Sequence, residues 1–183
     1  MPQIEMQHVT KYFTNEQRRF AAINDVSLSI ERGEFVFLIG SSGAGKTTLL
    51  RLLANQIVAD EGKIWLDDVE LTRMRGWRRP AYRRNIGQVW QDASLIRKKT
   101  VRQNLELVQR ALGVKSKVIP ENTRKALSIV GMRAMEDRYP FELSGGQVKM
   151  VELARAIICN PPILIVDEIT ANLDYDTGWD IMN

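Results

Sequence analysis

Two stretches near the start of the chain alternate between apolar and polar residues. Residues 4–12 and 26–30 read as strands; in the second, Val26, Leu28 and Ile30 alternate with Ser27 and Ser29, the period of two that suits a half-buried strand. Between them residues 14–19 are polar and turn-like. After Arg32-Gly33-Glu34 comes an unbroken apolar run at residues 35–39, which predicts a central parallel strand covered on both faces. A glycine-rich loop follows, and then residues 47–56 place Leu49, Leu50, Leu52 and Leu53 at helical spacing. Residues 62–66 and 86–90 read as short strands. From Val101 to about Glu136 strand alternation disappears and helix formers are punctuated by Gly113, Pro120 and Gly131, which predicts a helical insert. Residues 147–159 read as a helix. Ile163-Leu164-Ile165-Val166 reads as a buried parallel strand, favoured over a core helix by its four-residue length and the acidic pair after it.

This alternation predicts an α/β fold with a small N-terminal β subdomain in front and a helical subdomain inserted. The expected division of a single domain over 1–183 is a β subdomain at 1–33, a first part of the core at 34–91, a helical insert at 92–146 and a second part of the core at 147–183.

With 44% apolar and 26% charged residues, the composition is that of a globular protein without long disorder. The formal net charge of +4 permits an anionic partner without requiring one. Cys159 is the sole cysteine and His8 the sole histidine, so an intramolecular disulfide, a cysteine cage and a multi-histidine metal site are excluded, and a reducing cytoplasm is expected. The N-terminus carries no basic-then-apolar signal pattern. The most apolar stretch, residues 156–166, is interrupted by Asn160, Pro161 and Pro162 and falls short of the roughly 20 residues a membrane span needs.

Gly40-Ser41-Ser42-Gly43-Ala44-Gly45-Lys46-Thr47 fits G-x-x-x-x-G-K-[ST], between an apolar run and a helix, with Thr48 next in that helix. Glycines let successive N–H groups curl inward onto phosphate oxygens, and the helix start adds unpaired N–H groups and partial positive charge. Lys46 supplies a full charge to the β and γ phosphates of ATP, and Thr47 a hydroxyl for Mg²⁺. A bare glycine turn with a solvated lysine would lack that strand–loop–helix setting.

Asp167-Glu168 follows residues 163–166, at the edge where parallel sheets bind ligands. An aspartate there can hold Mg²⁺, typically through water, and Glu168 can polarise a water aimed at the γ-phosphate. Taken alone, the pair is equally a solvent-facing acidic loop. Leu143-Ser144-Gly145-Gly146-Gln147 opens another helix, with Ser144 able to cap it and two glycines freeing backbone N–H groups. Alone, that is a capped helix after a flexible turn.

In this order, with Gln91 between the two glycine-rich elements and Ala171-Asn172-Leu173-Asp174 after the acidic pair, the motifs resemble an ABC-type ATPase from about Ile4 to Asn183. The resemblance implies a P-loop NTPase core that hydrolyses ATP. It implies that residues 143–147 bind ATP held by a second subunit, and hence a homodimer closed through residues 143–147 and 171–174. Tyr12 matches the aromatic residue that stacks on adenine. Gln91 matches the residue that reaches Mg²⁺ and the attacking water, in a loop that couples to a membrane subunit. Asn172 and Asp174 match the loop crossing the dimer interface.

Arg83-Arg84-Asn85-Ile86-Gly87, Val89-Trp90-Gln91-Asp92, Leu95–Val101 with Asn104, and residues 176–182 resemble the cell-division subfamily, FtsE, whose integral membrane partner is FtsX. That implies a cytoplasmic protein, peripheral at the inner face of the membrane through its partner. Two alternatives stay open: the ATP-binding subunit of a lipoprotein-release or export transporter, and an inactive remnant that only binds ATP. Arg73, Arg75, Arg78, Arg79, Arg83 and Arg84 crowd around Trp77 and Tyr82; this reads as a solvated face with arginines stacked on the rings, and no nucleic-acid partner is expected.

The sequence departs from the family pattern at Ile169, Ala171 and Tyr175, and at Met150, where arginine is frequent. The resemblance also implies a later strand, ending in a histidine, that lies between the P-loop strand and the Asp167 strand. The sequence stops at Asn183 without it. The expectation drawn is a truncated chain whose two apolar strands lack a pairing partner. Each buried unpaired backbone group costs about 1–3 kcal/mol against a domain stability of only about 5–15 kcal/mol, so weak folding and weak ATP turnover are expected.

Overall fold

The computed structural model describes residues 3–15, 18–92 and 94–167. The chain divides into two compact units, one ending at Arg83 and the other beginning at Arg84.

In the first unit β1 (Ile4–Thr14) and β2 (Arg19–Ile30) pair antiparallel, with Ile4 opposite Ile30 and Thr14 opposite Arg19. Both strands run longer than their alternation predicts, because the register shifts between Met6 and Val9 and again around Lys11. At these irregularities His8 and Asp25 take positive φ angles of 50° and 51°, and the His8 ring nitrogen Nδ1 sits 2.8 Å from Asp25 Oδ1. Bulges break a simple period of two while letting pairing resume beyond them. On the other side of β1 lies β3 (Glu61–Leu66), followed by the two-residue β4 (Val69–Glu70), giving the order β2-β1-β3-β4. Met6, Val9 and Ile64 are buried from this sheet, and Leu49, Leu52 and Leu53 from helix α1 (Lys46–Leu53). An N-terminal antiparallel sheet is thus present, but it takes in β3 and β4, beyond the residues 1–33 expected for a β subdomain.

Residues 35–39 do not form the expected central strand. They carry no ladder pairing among the described residues, and Phe35 and Ile39 are 79% and 90% exposed. An apolar run becomes a buried strand only where neighbouring strands take up its N–H and C=O groups. Here the local order is a contact between rings, Phe35 and Phe37 meeting edge to face at 4.9 Å.

The arginine-rich stretch forms a 3₁₀ turn (Gly76–Arg78) and the short α2 (Arg79–Arg83). Arg78 stacks 5.1 Å from the Trp77 ring, Arg73 pairs with Glu70 at 3.3 Å, and Arg83 donates to the Asn55 carbonyl at 2.8 Å. The expected stacking is thus seen for Arg78 on Trp77, whereas Tyr82 is buried rather than part of a solvated face.

In the second unit β5 (Ile86–Val89) and β6 (Ile163–Val166) pair in parallel, Ile86 with Ile163 through Val89 with Val166. Between them in sequence lie α3 (Val101–Ala111), α4 (Ile119–Ile129) and α5 (Gly145–Ile157), with 3₁₀ turns at Arg133–Met135 and Pro140–Glu142. Thr100 caps α3 in a reciprocal box with Gln103. Leu95, Val101, Leu105, Ala126, Leu127, Met132, Val151 and Ala154 form one core, against which Met150 packs. A methionine where the family often has arginine therefore meets an apolar environment. The buried Asn104 carboxamide donates to the carbonyls of Ile96, Lys99 and Thr100 and accepts from Ile96 N–H, which fixes the segment leading into α3.

Candidate active site

In the first unit the loop at residues 40–47 closes on itself. Ala44 N–H donates to the Ser41 carbonyl at 3.2 Å, and Leu49 N–H begins the α1 ladder on the Gly45 carbonyl at 2.9 Å. Gly45 is the N-cap residue, in the left-handed region at φ 89°, and a Cβ there would come 2.3 Å from the Ala22 carbonyl oxygen. Only glycine satisfies both constraints. Lys46 turns back over the loop, its ammonium donating to the carbonyls of Gly40 and Ser41 at 2.8 and 2.9 Å. Ser41, Ser42, Gly43 and Ala44 are exposed, and Lys46, Thr47 and Thr48 half-buried. No acidic residue stands in the first turn of α1 and no side chain caps it, so the start of the helix keeps its positive character. The loop thus gathers backbone donors and a lysine for an anion.

Tyr12, near the end of β1, has its N–H bound to Asp60 Oδ2 at 2.7 Å. That bond, with Lys11 3.1 Å away, holds the Asp60 carboxyl below the usual carboxylate range; burial opposes the shift. The Arg19 guanidinium lies over the Tyr12 ring at 3.9 Å.

In the second unit the carboxyl ends of the parallel pair bring Gln91 and Asp167 to one sheet edge. Asp167 N–H donates to the Val89 carbonyl at 2.9 Å, and Gln91 follows Val89 by two residues. Asp167 is 4% exposed, whereas Gln91 is exposed. Ser144 caps α5 as expected. Its hydroxyl accepts from Gln147 N–H at 3.2 Å, and the Gln147 amide oxygen accepts from Ser144 N–H at 2.9 Å. The amides of Gly145 and Gly146 lie in the first turn, where a helix leaves N–H groups without an internal acceptor. Glu168, Ile169, Tyr175 and the stretch 171–174 lie outside the described residues.

Sequence reasoning missed a buried charged cluster beside Gln91. Lys149 and Glu152, on α5, are 5% and 0% exposed and bonded to each other at 3.0 Å. Their spacing of three along a predicted helix was visible, but spacing alone does not distinguish a buried pair from an ordinary solvated one.

In the first unit the loop at 40–47 has the form of a triphosphate cradle, and in the second Gln91 and Asp167 carry oxygen donors of the hard type that suits Mg²⁺. Comparison with known proteins agrees. The sequence pattern of the ABC transporter family matches residues 23–171. The cell division ATP-binding protein FtsE of Streptococcus pneumoniae serotype 2 is 38% identical over 98% of this chain and 77% of its own length. Methionine import ATP-binding protein MetN 4 of Oceanobacillus iheyensis is 39% identical over 98% of this chain and 52% of its own. Among solved structures, the ATP-binding cassette MJ0796, a dimer in a post-hydrolysis state bound to ADP and Pi, superposes with a TM-score of 0.90 at 30% identity, over 98% of this chain and 79% of that one. A phosphate cradle at the start of α1, a capped glycine nest at the start of α5 and a family match spanning both make this chain a member of the ABC transporter family, an ATP-hydrolysing cassette.

Proposed function

We propose that this cassette is the ATPase subunit of an FtsE-type membrane complex, working with an integral, FtsX-like partner at the inner face of the membrane. The loop at residues 40–47 supports the nucleotide site most directly, since the Gly45 backbone admits no other residue and Lys46 is held over the same loop. The subfamily reading is supported by the resemblance around Gln91 and by the 38% identity to the FtsE relative over 98% of this chain.

In this reading the backbone amides of residues 40–47 and Lys46 bind the β and γ phosphates, and Tyr12 stacks on adenine. Thr47, Gln91 and Asp167 hold Mg²⁺, which when bound neutralises charge on the phosphate oxygens. Glu168 orients and deprotonates the attacking water, and Gln91 helps to aim it. Ser144, Gly145, Gly146 and Gln147 serve the nucleotide of a second copy, with residues 171–174 crossing the same interface. No helix among the described residues is long and apolar enough to cross a membrane.

Lys46→Ala tests the nucleotide site. It abolishes ATP binding by titration calorimetry while thermal unfolding stays cooperative; retained binding would remove the reading. Pull-down with an FtsX-type protein tests the subfamily. Capture of a multi-span methionine permease instead would favour the import reading that the MetN relative supports.

A further inference from the structure

The loop carrying Gln91 has no ladder partners of its own among the described residues, yet its backbone is held by charged groups. Lys149 Nζ donates to the carbonyls of Trp90 at 2.5 Å and Gln91 at 2.7 Å, and its third donor goes to Glu152 Oε2 at 3.0 Å. An ammonium has three donors, and all three are used. Glu152 Oε1 accepts from Ser94 N–H and, at 2.8 Å, from the Ser94 hydroxyl. One turn further along α5, Arg155 donates to the Ser94 carbonyl at 2.9 Å and also to the Ser94 hydroxyl. Residues 149, 152 and 155 form one stripe of α5, so a single helical face grips the loop at positions 90, 91 and 94.

A buried ion pair is a poor device for stability alone, because an apolar pair of similar volume often serves as well. What it adds is direction. An ammonium seated on two successive carbonyls fixes the peptide plane between them, and with it the point from which the Gln91 side chain leaves the backbone.

We propose that Lys149 and Glu152 are positioning residues for Gln91. The buried pair clamps the Gln91 loop to the helix whose first turn is the Ser144 nest, so the two move as one body. The inference rests on the reading above, in which Gln91 acts on the attacking water.

The test uses ATP turnover and ATP affinity of the full chain. Removing either charge alone strands the other and risks unfolding, so the main variant is Lys149→Met with Glu152→Leu, which removes both. Glu152→Gln, which keeps oxygen and amide at Ser94, is the second, and Lys149→Arg the conservative rescue. The expected result is a fall in kcat of about tenfold with KM and Kd for ATP within about twofold, because affinity resides in the Lys46 loop. Adding Gln91→Ala to the main variant produces little further loss, since both act through one group. Lys149→Arg recovers most of the rate.

A folded main variant with wild-type kcat overturns the proposal. So does a loss that multiplies with that of Gln91→Ala, the signature of a purely structural role. If Gln91→Ala by itself leaves kcat unchanged, the reading of Gln91 falls and the proposal with it. If Gln91→Ala lowers kcat but the pair variants do not, only the clamp is overturned.

Discussion

The guanidinium of Arg19 covers one face of the Tyr12 ring, 3.9 Å from its centre, reaching across from β2 to β1. A purine stacking on Tyr12 therefore uses the opposite face, and Arg19 braces the ring from behind. Base–aromatic stacking contributes about 1–3 kcal/mol, whereas an exposed cation–π contact contributes about 0.5–1 kcal/mol. Tyr12→Ala is expected to weaken ATP binding at least about fivefold. Tyr12→Phe should be near neutral and Arg19→Ala intermediate. Titration with ATP and with tripolyphosphate checks the assignment, since only the ATP curve should move.

Asp60 holds the Tyr12 backbone, so acid should loosen that stretch of β1. The carboxyl is depressed chiefly by the Tyr12 N–H bond, with Lys11 assisting and burial opposing. A group whose folded pKa lies below its unfolded value stabilises the fold above the unfolded value, about 3.9 for aspartate. That contribution disappears as pH falls through the lower, folded value. Asp60→Asn should thus lower Tm at pH 7, and the gap from wild type should close below pH of about 4. A gap that persists at pH 2 would mean that the carboxylate charge is not the cause.

Two glycines of the phosphate loop should respond differently to alanine. Both take positive φ, 78° at Gly43 and 89° at Gly45, so both substitutions carry backbone strain of about 1–3 kcal/mol. At Gly43 the added carbon meets nothing within 4 Å, but at Gly45 it meets the Ala22 carbonyl at 2.3 Å. Gly45→Ala must displace β2 or the start of α1. It is expected to lower Tm by several degrees more than Gly43→Ala, at about 2–4 °C per kcal/mol for a chain of this size, and to weaken ATP binding more. Differential scanning calorimetry of the two variants side by side decides it.

Much of this was legible in the sequence for identifiable physical reasons. Residues 163–166 were placed as a strand to the residue, since four apolar positions followed by an acidic pair leave few alternatives. Ser144 was legible as a cap because a hydroxyl three residues before a glutamine makes a local, reciprocal bond that depends on nothing distant. The run at 35–39 divides the two kinds of signal: its apolar residues predicted a strand, which does not form, whereas the lack of a pairing partner was legible through the family resemblance for this run but not for residues 163–166, which pair with β5. Lys149 and Glu152 were illegible because their burial depends on the carbonyls of residues 90 and 91, almost sixty positions away.

The buried contact between α3 and α4 separates a necessary polar group from a tolerated one. Gln109 and Thr123 are both fully buried, and the Gln109 amide nitrogen donates to Thr123 Oγ1 at 2.9 Å. The amide oxygen has no hydrogen-bond partner. Thr123→Val removes the acceptor and leaves the amide nitrogen only a long contact of 3.5 Å to the Ile119 carbonyl. A stranded buried donor costs about 1–3 kcal/mol. Gln109→Leu removes the whole amide, including its unsatisfied oxygen. Thr123 is then free to donate to the carbonyl one turn back in its own helix, as buried threonines can. The two substitutions therefore differ in sign or nearly so. Thr123→Val should lower Tm by roughly 2–10 °C, whereas Gln109→Leu should be neutral or raise it, and adding Gln109→Leu to Thr123→Val should restore most of the loss. Urea unfolding of the three variants measures this directly. Equal destabilisation by both single substitutions would show that the amide oxygen is satisfied in solution and that the pair is a balanced bond.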